Sequence, residues 1–76
     1  MKMFKFEIQE HWFGGTTLMV YEVKARTSKS ADKKIHQIMG NRSWDWTLVA
    51  TRKSDASDTE DYRCLALVLP SQQKGG

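Results

Sequence analysis

Tyr62-Arg63-Cys64-Leu65-Ala66-Leu67-Val68-Leu69 is the stretch on which the fold turns. After Arg63 it is apolar throughout, and Pro70 ends it by removing a ladder donor. A strand apolar on both faces is ordinarily central, flanked and covered from both directions. The segment is therefore expected in the middle of a sheet. Ser71 to Gly76 carry no apolar side chain and read as a flexible C-terminal tail ending in diglycine. Residues 1–70 form one domain on this reading, and 71–76 a tether.

Upstream, residues 3–9 alternate. Phe4, Phe6 and Ile8 point one way and Lys5, Glu7 and Gln9 the other, the signature of a half-buried strand. His11-Trp12-Phe13-Gly14-Gly15 follows, and the glycine pair signals a turn. Residues 16–25 make the return strand, with Tyr21, Val23 and Ala25 toward the core. The period then changes: Ala31, Ile35, Ile38 and Met39 share one face of a helix. Thr27 or Ser28 caps its start, and Gly40-Asn41 stops it. Residues 43–53 return to alternation, with Trp44, Trp46, Leu48 and Ala50 on one side. An acidic turn runs from Ser54 to Asp61. The expected fold is α+β: ββα followed by two strands, one helix packed on one face of a mixed sheet.

Composition sets the outer bounds. A chain of 76 residues forms one domain with a thin core, burying only about 60% of the surface its unfolded form exposes. One cysteine excludes an internal disulfide. Cys64, within an apolar run, is expected to be a buried, inert thiol, as suits a reducing compartment. Met1-Lys2-Met3-Phe4-Lys5 has no secretory pattern, and no run reaches the ~18 apolar residues of a membrane span. A soluble, cytoplasmic protein with no membrane partner is the expectation. Twelve basic against nine acidic residues give a net charge of +3, which permits nucleic-acid binding without requiring it.

In its first strand from Met1 and Phe4, its single helix after a hairpin, Leu65-Ala66-Leu67-Val68-Leu69 and the ending Gly75-Gly76, the chain resembles ubiquitin and the β-grasp family. The resemblance is one of pattern, and distant, as in a bacterial ubiquitin-like conjugation system. Ser71-Gln72-Gln73-Lys74 stands where ubiquitin alternates leucines and arginines. The resemblance implies a protein modifier, not an enzyme, that needs no cofactor. An activating enzyme would adenylate the Gly76 carboxylate; a thioester and an isopeptide to a target lysine would follow. Conjugating enzymes, a deconjugating protease and target proteins are the implied partners. Gly75, lacking Cβ, gives the tail a slim approach to a narrow channel, and Lys74 a charge contact. A sulfur carrier of the same fold, ending in a thiocarboxylate, is the alternative within the family.

Other residues suit other classes. Trp44 and Trp46, two apart on one strand face, have the spacing of a base-stacking platform, although such pairs are more often core. Lys29 and Lys33 on the helix, with Lys24 and Arg26 near, suit phosphates or simply a solvated face, which makes nucleic acid a less favoured partner. His11, Trp12 and Phe13 at a hairpin tip either contact a partner or fold back over the sheet. Val20, Val49, Ala66 and Val68 are expected on the sheet face away from the helix, as a further partner surface, their facing open to a one-residue slip. His11, His36 and Cys64 lack metal-ligand spacing, and no nucleophile is paired with a base. A stand-alone binding or inhibitor protein of phage or mobile-element type, built on an antiparallel ββαββ sheet, is the rival to the modifier. A small nucleic-acid binder is the third class.

Overall fold

In the computed structural model, which describes residues 1–41 and 43–68, the chain forms two strands, one helix and two further strands. Strand β1 spans Lys2–Trp12, β2 Gly15–Ala25, helix α1 Ser28–Met39, β3 Trp44–Lys53 and β4 Tyr62–Val68. The fold is α+β: one helix and a four-stranded antiparallel sheet in the order β3-β1-β2-β4.

The hairpin closes tightly. Trp12 pairs with Gly15, so Phe13 and Gly14 alone make the turn. Gly15 has a φ of 140°, a backbone state that side chains disfavour, and this fixes a glycine there. Helix α1 begins at Thr27, whose Oγ1 accepts the Ser30 N–H at 3.1 Å. It ends at Gly40, with φ 69° and its N–H donated to the His36 carbonyl at 2.9 Å. Both helix boundaries agree with the capping residues read from sequence.

Ala31, Ile35 and Met39 bury the expected helix face against Phe4, Phe6 and Ile8 of β1 and Met19, Val23 and Ala25 of β2. The helix lies over the central pair of strands, and the edges extend beyond it. Full burial of one such aliphatic side chain contributes about 1.5–3 kcal/mol.

Two expectations about the last strand are corrected. Residues 62–69 were expected centrally, beside residues 3–9, in a mixed sheet. β4 instead lies at the edge and pairs antiparallel with β2. The return chain from β3 crosses over the 54–61 loop to the far side of the hairpin, because β3 already occupies the open side of β1. Cys64, expected buried, is exposed for the same reason. No helix among the described residues is long and apolar enough to cross a membrane.

Each edge strand carries one extra residue. Against β1, Ala50 pairs with Lys5 and Leu48 with Phe6, so Val49 is skipped. Against β2, Ala66 pairs with Val20 and Cys64 with Tyr21, so Leu65 is skipped. A bulge shifts the alternation of everything beyond it. Trp44, Trp46 and Leu48 share one side as expected, and it is the helix side, but Ala50, opposite Lys5, turns to the other face.

Candidate interaction surface

The hairpin tip is the most exposed aromatic feature of the molecule. Phe13 has 108% of its reference area in contact with solvent, and Trp12 has 52%. These two rings are positioned differently. The Trp12 Nε1–H donates to the Thr17 hydroxyl at 2.9 Å, and the indole lies back over Gly14. Phe13 has no such anchor and projects outward. His11, next to Trp12, holds its Nε2 2.8 Å from an Asp45 carboxylate oxygen and its Nδ1 3.4 Å from the Thr16 hydroxyl. The His11 contact ties the tip to β3, and the Trp12 contact ties it to β2. Trp12 thus folds back over the turn, and Phe13 stands exposed to solvent.

The second expected surface is only partly assembled. Val20 pairs directly with Ala66, and Leu18 with Val68, so Val20, Ala66 and Val68 adjoin on the face away from the helix. Val49 stands apart from them as the bulged residue of β3, with β1 between. Along the β4 edge, Tyr62, Leu65 and Leu67 are also exposed. Lys74, Gly75 and Gly76 lie outside the described residues.

Trp44 and Trp46 are spoken for within the molecule. Their ring centroids are 4.8 Å apart, and the His36 ring meets both edge-on at 4.9 and 4.6 Å. Trp46 donates its Nε1–H to the Asp32 carboxylate at 2.6 Å. Trp44 packs against the core cluster. The pair links α1 to β3, and ring faces committed this way are poor platforms for bases.

The face away from the helix carries an ion-pair network absent from the sequence-derived candidates. Arg52 donates through Nε and Nη2 to Glu22, both at 3.0 Å, and through Nη1 and Nη2 to Asp58 at 2.9 and 2.8 Å. Arg63 adds a bond to Glu22 at 3.2 Å. The Asp58 carboxylate also accepts the Asp55 N–H at 2.7 Å. Glu22 and Asp58 are buried, as is Met3, which with Arg63 and the 57–60 segment lines a cavity of about 30 Å³. The hydrogen bonds from Arg52 hold both carboxyls below the usual carboxylate range, Arg63 adding to the effect at Glu22 and the Asp55 N–H at Asp58. The same two carboxylates push the Arg52 guanidinium further up. This network clamps the acidic loop onto the sheet. Glu22 lies 30 positions from Arg52 and 41 from Arg63, and the six-residue step from Arg52 to Asp58 runs through an irregular loop, so no local periodicity signals the network.

No protein-family model, no curated protein and no solved structure matches the chain.

Proposed function

We propose that the chain is a stand-alone binding protein whose hairpin tip, led by Phe13, inserts into an apolar pocket on a partner protein. The observation that carries this is the full exposure of Phe13 on a turn held in place from both flanks. An aromatic ring left in water forgoes the roughly 1.5–3 kcal/mol that burial would give. A held backbone lowers the ordering cost of binding, so most of that gain becomes affinity. Fully desolvated aromatic anchors are the usual centre of an interface's binding energy. The exposed Leu65, Ala66 and Leu67, with the half-buried Val20 beside Ala66, offer a second apolar contact area on the β4 side.

The ubiquitin-like β-grasp, with conjugation or sulfur transfer through Gly76, draws its support from the C-terminal sequence. One helix on a four-stranded sheet is compatible with a β-grasp without being diagnostic of it. The parallel pairing of first and last strands, which would have favoured it, is replaced by antiparallel pairing of β4 with β2. The two readings separate in one experiment. The full chain, its Phe13→Ala variant and a version lacking Gly75 and Gly76 are each used to capture partners from lysate of the source cells. A binding protein loses its partner with Phe13→Ala and keeps it without the glycines. The opposite pattern, with lysine-linked adducts in the mass spectrum, overturns the proposal.

A further inference from the structure

Lys53, Lys2 and Arg26 form a row across the end of the sheet opposite the hairpin tip. Lys2 is the direct cross-strand partner of Lys53 on one side and of Ala25, which precedes Arg26, on the other. Neighbouring strands lie about 4.8 Å apart, so the row spans roughly 10 Å of sheet. All three side chains are exposed, and with Met1 and Ser54 they line an open cleft of about 470 Å³. No carboxylate lines it among the described residues.

Like charges placed directly opposite across two strands destabilise a sheet. Lys2 and Lys53 stand in that relation. The acidic residues of the loop that follows Lys53, Asp55 and Asp58, are held in other contacts. Asp55, next to Ser54, accepts the N–H and hydroxyl of Ser57 at 2.8 and 2.5 Å. Glu22 and Asp58 are neutralised by Arg52 and Arg63. The basic helix region behaves differently: Lys34 donates to the Lys24 carbonyl at 2.6 Å, and Lys24 donates to the Asp58 carbonyl. Those two cations serve the fold, whereas the row at the sheet end faces solvent.

We propose that this row binds the phosphate backbone of a nucleic-acid strand. Three exposed cations on three neighbouring strand ends, with no carboxylate between them, match the repeated charges of a linear polyanion. A wide cleft without buried donors is poorly suited to enclosing one small anion. The site lies at the far end of β1 and β2 from Phe13, so it stands or falls independently of the tip.

The test is fluorescence anisotropy of a labelled single-stranded DNA with the full chain, titrated across salt. Three phosphate contacts predict a log–log slope of about −2, from ~0.7 per contact on a single strand. Lys2→Ala, Arg26→Ala and Lys53→Ala should each reduce the slope by about 0.7, and Lys33→Ala should leave it unchanged. Circular dichroism confirms that the variants fold, which exposed positions should allow. No measurable binding at about 50 mM salt overturns the proposal, as do slopes indifferent to the three variants. Equal binding to polyglutamate of matched charge also overturns it, assigning the row to an acidic protein surface.

Discussion

The Trp12 indole lies so close over Gly14 that a Cβ at position 14 would stand 2.4 Å from its Cζ3 atom. No real Cβ tolerates that distance, so glycine at 14 is what lets the indole fold back and donate to Thr17. Gly14→Ala should displace the ring and break the 2.9 Å bond. The expected result is a shifted Trp12 indole N–H resonance and about tenfold weaker partner binding, from lost pre-organisation at the tip. Unchanged indole chemical shift and affinity would show that the tip does not depend on this contact.

Ile35 is fully buried on the helix face, between the two central strands. Ile35→Ala should cost about 2–5 kcal/mol and Ile35→Val about 0.5–1.5 kcal/mol. In a domain this small, 1 kcal/mol moves the melting temperature by roughly 4–8 °C. Ile35→Ala should therefore leave the chain largely unfolded at physiological temperature, as read by circular dichroism.

Much of this was legible in the sequence, and the limits have physical causes. Ala31, Ile35 and Met39 recur at one spacing, and Thr27 and Gly40 cap the helix they predict. Phe4, Phe6 and Ile8 alternate, and Gly14-Gly15 closes the hairpin. Strand order was not legible, because the apolar run from Leu65 fits a central strand and an unprotected edge equally well. Register was misread beyond Val49, where one extra residue turns Ala50 to the opposite face. At the tip, sequence marked His11, Trp12 and Phe13, but only the bond from Trp12 to Thr17 separates the ring that folds back from the ring that reaches out.

Edge placement of β4 makes Cys64 accessible. A thiol reagent should modify it in the native state at a rate near that of the unfolded chain. A central strand would protect it, and protection by a hundredfold or more would contradict the observed strand order.

The Arg52 network sets an acid limit on stability. Glu22 and Asp58 both have folded pKa values depressed by Arg52, so the unfolded state binds more protons as pH falls through the ordinary carboxylate range. Their contribution is present above about pH 4–5, where both carboxyls are ionised in either state, and is lost below it. Urea midpoints should be nearly constant from neutral pH down to about 5 and then fall. Arg52→Met should lower the neutral-pH midpoint and flatten the acid slope, since Glu22 and Asp58 then lose their main depressing partner. An unaltered slope would mean that the network does not couple to folding.

The most direct test of the central claim is the affinity of the captured partner for the full chain and for Phe13→Ala, measured by calorimetry at one salt concentration. A hot-spot anchor predicts a loss of about 2 kcal/mol or more, roughly thirtyfold in Kd, with the melting temperature unchanged because Phe13 touches little of the fold. Equal affinities for the two proteins would contradict the account.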